Sequence, residues 1–134
     1  MNRQELKALL PHREPMLLLD EAKMVDGEAL ASYTIKGHEF FLLGHFPGHP
    51  VVPGVILCEM MGQSACVLLQ SIEGIPYLTG INQVKFKKKV LPGDKVVLKS
   101  RLVKTRPPFY FIQAEGFVDD KLCVCGDLSF AIIK

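Results

Sequence analysis

The sequence predicts an α+β domain in which one long buried helix packs against a mostly antiparallel sheet. Three observations predict it. A proline-free, largely apolar stretch of about 18 residues follows Pro53-Gly54, enough for a helix of about 27 Å. The second half of the chain alternates apolar and polar residues with the strand period, divided by turn residues. Hydrophobic residues make up 49% of the 134 and charged residues 22%, which fits one packed domain over residues 1–134.

Three elements are predicted before the long helix. A short helix over residues 2–10 opens with N-x-x-E at capping-box spacing, and Pro11 ends it. The apolar run M-L-L-L-D at residues 16–20 predicts a buried strand, and residues 29–35 predict a second one.

The long helix is predicted to begin at Gly54 and to end near Gly74. Apolar residues lie on nearly every side of it, so we expect it to be buried almost all round. A curved sheet covers only one side of a helix, and the remaining apolar surface needs another partner. In so short a chain that partner should be a second copy, so the sequence predicts a homo-oligomer.

Strands dominate after the helix. Alternating patterns predict them over residues 78–86, 95–103, 109–118 and 122–132. The sequence V-L-P-G-D at residues 90–94 predicts a turn, and Asp119-Asp120 predicts a tight hairpin turn. The complete chain should therefore contain four to six mostly antiparallel strands.

Composition excludes several classes of function. The formal net charge of +2 is too small to indicate a nucleic-acid-binding protein. No segment approaches the roughly 20 apolar residues that span a bilayer, and the N-terminus does not resemble a signal peptide. The four cysteines lack zinc-site spacing. We therefore expect a cytoplasmic protein with reduced thiols and no metal.

The segment G-H-F-P-G-H-P-V-V-P-G at residues 44–54 cannot be regular structure, because proline removes donors and glycine adds conformational freedom. Its neighbours fix the backbone of His45, and we expect the imidazole to face an apolar pocket as a neutral proton acceptor. His12 is interpreted as structural or oligomer-facing, and His38 and His49 as exposed.

Glu59 and Gln63 are nearly the only large polar side chains in the first turns of the helix, and their i, i+4 spacing puts them on one face. Burial should raise the pKa of Glu59, which would suit a general acid oriented by an amide. A glutamate held by a structural hydrogen bond or salt bridge is the open alternative. The free amide of Gly54 could stabilise an oxyanion. Together these groups indicate proton abstraction beside a carbonyl, with a leaving group on the next carbon.

Three stretches resemble the FabZ-type 3-hydroxyacyl-[acyl-carrier-protein] dehydratases. They are L-P-H-R-E-P-M-L-L-L-D, then G-H-F-P-G-H-P-V-V-P-G-V-I-L-C-E-M-M-G-Q-S-A, and the later N-Q-V-K-F-K-K-K-V-L-P-G-D. The resemblance implies a hot-dog fold, with a long central helix wrapped by a curved antiparallel sheet. It implies an obligate homodimer, in a family that often assembles as trimers of dimers. It also implies dehydration of a (3R)-3-hydroxyacyl thioester to the trans-2-enoyl product in type II fatty-acid synthesis, without a cofactor.

Position by position, the resemblance gives His45 the role of base toward the C2 proton. It gives Glu59 the role of acid toward the C3 hydroxyl, with the two residues supplied by different subunits. It assigns Gly54 as backbone donor to the thioester carbonyl and Gln63 as the residue that orients the acid. Glutamate rather than aspartate at position 59 implies dehydration without isomerisation of the double bond.

The partner that the resemblance implies is acyl carrier protein, which presents the acyl chain on phosphopantetheine. Because carrier proteins are acidic, the basic residues Lys88, Lys104 and Arg106 are predicted docking contacts; solvated strand faces are the alternative. Candidates for the acyl tunnel are apolar residues on or beside the strands, with ordinary sheet core as their alternative interpretation: Phe86, Pro107, Phe109 and Tyr110.

Three other functions remain open. Glu14 and Glu21 depart from the residues common in the family, so the chain could be a paralogue that serves a specialised polyene or polyketide-like acyl pathway. A hot-dog thioesterase would use a helix-borne carboxylate to activate water. A non-catalytic acyl-binding subunit would be expected to lack His45 or Glu59, and neither is lost.

Overall fold

Two α-helices, six strands and a short 3-10 helix make up the computed structural model, which describes residues 1–134. The prediction of an α+β domain with one long helix is confirmed. In chain order the elements are α1 (Arg3–Leu9), β1 (Glu21–Val25), β2 (Glu28–Thr34), the 3-10 helix (Phe40–Leu42), α2 (Gly54–Leu68), β3 (Ile75–Phe86), β4 (Lys95–Arg106), β5 (Phe109–Val118) and β6 (Lys121–Ile133).

The strands form one antiparallel sheet in the order β1-β2-β4-β5-β6-β3. Helix α2 lies across one face and contacts β4, β2 and β5. Its side chains Met60, Met61, Ala65 and Val67 are fully buried in the core that the helix shares with the sheet. Strands β1 and β3 form the two edges.

Local signals placed several boundaries correctly. Asn2 caps α1 in a capping box with Glu5, as predicted. Asp119 and Asp120 have φ angles of 51° and 63°, the left-handed pair that a two-residue hairpin between β5 and β6 requires. Helix α2 begins at Gly54 as expected, but it ends at Leu68, before the predicted end near Gly74.

The strand predicted over residues 16–20 is not formed, although Leu17, Leu18 and Leu19 are buried. The backbone there finds a side-chain partner in place of a neighbouring strand. The Leu18 amide donates to Gln63 Oε1 at 2.8 Å, and the Met16 carbonyl accepts from Gln63 Nε2 at 2.7 Å. Burial therefore explains the apolar run. The first backbone bond to a strand is that of the Asp20 amide to the Ser32 carbonyl at 2.7 Å, and β1 itself begins at Glu21.

Helix α2 is not buried all round within one chain. Val55 is 75% exposed, and Cys58, Glu59 and Gly62 are partly exposed. These residues recur every three or four positions, so they form one uncovered stripe along the helix. No helix of the protein combines the length and the hydrophobicity needed to cross a membrane.

Candidate active site

The loop of residues 44–54 brings the candidate base to the start of α2. The Val51 amide donates to the His45 carbonyl at 2.9 Å, and the His45 ring Nδ1 lies 3.0 Å from the Val51 carbonyl. The Val52 amide donates to the Val90 carbonyl and ties the loop to the segment between β3 and β4. These bonds fix the loop in one shape without regular structure.

The contact with Val51 also sets the tautomer of His45. A carbonyl oxygen only accepts hydrogen bonds, so the proton of the neutral ring lies on Nδ1. The other nitrogen, Nε2, keeps its lone pair and is the atom able to accept a proton. The Phe46 ring stacks on the imidazole at 4.0 Å between centroids.

Helix α2 starts without a side-chain cap. Pro53 is the N-cap residue and has no side-chain acceptor, and the Gly54 amide donates no hydrogen bond within the chain. The free amide and the positive end of the helix dipole can therefore bind an oxygen that carries negative charge. A Cβ at Gly54 would lie 2.9 Å from the Phe86 ring, so that ring packs directly on the first turn.

Glu59 lies in the uncovered stripe of α2, and Gln63 lies one turn later and fully buried. Gln63 Nε2 donates to Glu59 Oε2 at 2.8 Å. The i, i+4 pairing predicted from the spacing is therefore present. It links the candidate acid through Gln63 to the backbone of residues 16–18.

The predicted direction of the Glu59 pKa is wrong for the single chain. Burial of the carboxyl raises its pKa, but hydrogen bonds from His12 and Gln63 and the charge of a protonated His12 outweigh burial. The pKa therefore lies below its ordinary value. Loss of water alone would raise the pKa of Glu59, whereas the partners that lower it include His12, which is distant in the sequence.

His12 lies beside the candidate acid, a contact that the sequence did not predict. Its Nε2 is 3.4 Å from Glu59 Oε2, and its interpretation as structural or oligomer-facing stays a prediction. The sequence carries no local signal for this contact, because residues 12 and 59 lie far apart in the chain. His38 and His49 are exposed, as predicted.

The tunnel candidates lie in two separate places. Phe86 lines a groove with Gly54 and Val55 at the start of α2. Pro107 and Tyr110 line a depression near the far end of the helix with Ile72. Phe109 lies at the start of β5 and is 44% exposed, and the assignment of a tunnel to these four residues remains a prediction.

The docking candidates are divided in the same way. Lys88 lines the groove at the start of α2 together with Lys87 and Lys89. Lys104 and Arg106 are exposed near the end of β4, where Lys104 Nζ lies 5.8 Å from the centre of the Phe111 ring. The three predicted contacts therefore do not form one compact patch.

Comparison with known families matches residues 10–126 to the FabA-like domain. Among curated relatives, the 3-hydroxyacyl-[acyl-carrier-protein] dehydratase FabZ of Clostridium perfringens is 38% identical, over 98% of this chain and 99% of the relative. The protein of the same name from Lactococcus lactis is 40% identical over 100% and 96%. That from Streptococcus sanguinis is 41% identical over 95% and 94%.

Solved structures share the fold. The dehydratase heterocomplex ApeI:P from Xenorhabdus doucetiae matches with a TM-score of 0.82 at 22% identity, over 96% of this chain and 91% of that chain. The PaaI protein from the phenylacetic acid degradation operon of E. coli matches with a TM-score of 0.73 at 14% identity, over 96% and 90%. At such identities the likeness concerns architecture alone, and it confirms the predicted hot-dog fold.

Proposed function

The chain belongs to the FabA-like family as a FabZ-type 3-hydroxyacyl-[acyl-carrier-protein] dehydratase, and from this premise we propose that His45 and Glu59 perform its reaction as base and acid. The enzyme is a hydro-lyase of fatty-acid biosynthesis. Our proposal concerns which residue acts as base, which acts as acid, and the dimer that brings the two together.

The proposed reaction moves two protons. His45 Nε2 removes the C2 proton, because Nδ1 is engaged with the Val51 carbonyl. Glu59 gives a proton to the C3 hydroxyl, which leaves as water while the C2–C3 double bond forms. The Gly54 amide donates to the thioester oxygen, which gains negative charge as the C2 proton leaves.

A second copy of the chain completes the site in this proposal. No hydrogen bond joins His45 to Glu59 within one chain. Glu59 lies in the uncovered stripe of α2, and edge strand β3 exposes several apolar side chains: Ile75, Tyr77, Leu78, Ile81 and Phe86. A homodimer that covers the stripe would bring the partner's His45 to Glu59. Coverage would also remove water from the carboxyl and raise its pKa toward the range of a general acid.

The substrate reaches the site on acyl carrier protein in this proposal. Lys87, Lys88 and Lys89 line the groove that contains Gly54, so an acidic carrier can dock where its thioester meets the helix N-terminus. Lys104 and Arg106 are proposed to extend this contact in the assembled enzyme.

Mixed dimers test the proposal most directly. The His45→Ala and Glu59→Gln variants should each be nearly inactive alone, with a loss of rate of at least about 10²-fold when the base is removed. The two variants are then combined in equal amounts. If base and acid come from different subunits, refolding the two together yields mixed dimers with one intact site. Statistical assembly then restores about one quarter of wild-type activity.

Product detection separates the possible outcomes. Enoyl absorbance from a 3-hydroxyacyl thioester identifies dehydration, whereas release of free thiol would identify a thioesterase. A mixture that stays inactive although mixed dimers form would place both residues in one chain, or one of them outside the mechanism. His38→Ala, which changes an exposed histidine, is the matched control.

A further inference from the structure

The amide orientation of Gln63 is fixed by the backbone around it. Its Oε1 must accept, because the partner is the Leu18 amide at 2.8 Å. Its Nε2 must donate, because one partner is the Met16 carbonyl at 2.7 Å. The remaining hydrogen on Nε2 then donates to Glu59 Oε2 at 2.8 Å.

His12 approaches the same oxygen from the loop before residues 16–18. Its Nε2 lies 3.4 Å from Glu59 Oε2, and its side chain is 25% exposed. Its other ring nitrogen, Nδ1, is buried and has no hydrogen-bond partner. A proton on Nδ1 would leave a buried donor unsatisfied, which is unfavourable. A neutral ring therefore carries its one proton on Nε2, so an N–H faces Glu59 Oε2 in either charge state of the ring.

We propose that His12 is a positioning residue for Glu59, and that together with Gln63 it holds Oε2 so that Oε1 carries the transferable proton. This inference rests on the proposed function of Glu59 as acid. Gln63 donates a hydrogen bond to Oε2, and His12 Nε2 lies 3.4 Å from the same oxygen, so in the proposed arrangement Oε2 accepts and does not bear the proton. Oε1 has no hydrogen bond within the chain and is not among the buried unpartnered atoms, so it is open toward a substrate.

Few other titratable or charged groups act on this pair. The buried thiol of Cys66 lies one turn beyond Gln63 on the same helix, and its pKa is raised to about 12 by burial and by the charge of Glu59. The Arg13 guanidinium donates to the Leu10 and His12 carbonyls. No other side chain makes a hydrogen bond or ion pair with Glu59.

Two substitutions separate positioning from packing. His12→Gln keeps an N–H near the position of Nε2, whereas His12→Leu keeps comparable bulk and loses the donor. We expect the kcat of His12→Leu to fall about tenfold or more with little change in KM, because a misplaced acid slows chemistry rather than binding. His12→Gln should keep most of the wild-type kcat.

A measurement independent of activity uses carbon-13 NMR of the Glu59 carboxyl, assigned by comparison with Glu59→Gln. Loss of a donor to the carboxylate should raise the pKa of Glu59 by about one unit in His12→Leu, and His12→Gln should reverse most of that rise. His38→Leu should leave the titration unchanged.

The outcomes are distinct from those that test the proposed function. A wild-type protein that forms no enoyl product overturns the function, and the titration then still decides whether His12 donates to Glu59. Equal titrations in wild type and His12→Leu would overturn the positioning role, as would equal kcat losses in His12→Leu and His12→Gln.

Discussion

The Tyr33 hydroxyl donates a hydrogen bond of 2.7 Å to Glu39 Oε2, at the turn that connects β2 to the loop of His45. The Lys36 amide donates to the same oxygen at 2.8 Å, and the Gly37 amide donates to Oε1 at 2.8 Å. Glu39 is only 9% exposed. One buried carboxylate therefore closes the turn that leads toward the loop of residues 44–54.

Replacing Glu39 should destabilise the fold in a pH-dependent way. Burial raises the pKa of Glu39, but donation from the Lys36 and Gly37 amides and from Tyr33 outweighs it and lowers the pKa below 4.5. Because the pKa of Glu39 is lower in the folded state, the ionised carboxylate stabilises the fold fully above about pH 4.5. This stabilisation is lost as the pH falls through the pKa of the folded state. Glu39→Gln should lower the free energy of unfolding by about 1–3 kcal/mol at pH 7.

Urea unfolding between pH 3 and pH 7 measures this difference. The gap between wild type and Glu39→Gln should narrow as the pH falls, because a protonated glutamate resembles glutamine. A gap that stays constant over this range would show that charge on Glu39 is unimportant. Glu73→Gln, at an exposed position, should leave the curve unchanged.

Gln63→Leu should destabilise the protein strongly even though leucine suits a buried site. The substitution leaves the Leu18 amide and the Met16 carbonyl without their partner. We expect a loss of about 2–4 kcal/mol in urea unfolding. Gln70→Leu, at an exposed position just after α2, is the matched control and should change stability little. Similar losses for both variants would contradict the bridging role of Gln63.

Gly54→Ala should impair activity through contact with Phe86. The new methyl group would lie 2.9 Å from the ring, which must move because the backbone of the helix cannot. In a Phe86→Ala background the same change meets no ring. The loss of kcat/KM caused by Gly54→Ala should therefore be smaller there, which a double-mutant cycle measures. Additive effects would mean that the ring does not restrict the position.

Reversing the charge at Lys88 tests carrier docking. Lys88→Glu should raise KM for a carrier-linked substrate and spare a short thioester analogue, since only the carrier is acidic. The effect should weaken at high salt. Lys23→Glu, on edge strand β1 away from the groove, is the control. Equal losses on both substrates would assign Lys88 to the active site and not to docking.

Local chemistry explains which elements could be predicted from the sequence. The start of α2 after Pro53 and the turn at Asp119-Asp120 depend on neighbouring residues alone, and both were predicted correctly. The prediction of a strand at residues 16–20 was wrong. A hydrophobic pattern indicates that these residues are buried, but it cannot show that the side-chain amide of Gln63 takes the backbone hydrogen bonds that a neighbouring strand would otherwise make.

In the candidate site, too, local relationships could be predicted and contacts between distant residues could not. The pairing of Glu59 with Gln63 is a local helix relationship and could be read from spacing. The contact of His12 with Glu59 joins residues far apart in the chain, and no periodicity signals it. The direction of the Glu59 pKa was wrong for this reason, since the partners that lower it come partly from that distant contact.

The uncovered stripe of α2 links turnover to protein concentration under the proposed arrangement. A chain separated from the second copy keeps its own hydrophobic core, yet its Glu59 carboxyl keeps only His12 and Gln63 as neighbours and lacks the His45 of the second copy. Specific activity per milligram should therefore decline on dilution while the circular dichroism spectrum stays constant. Such a result would mean that the enzyme is active only when two chains are assembled.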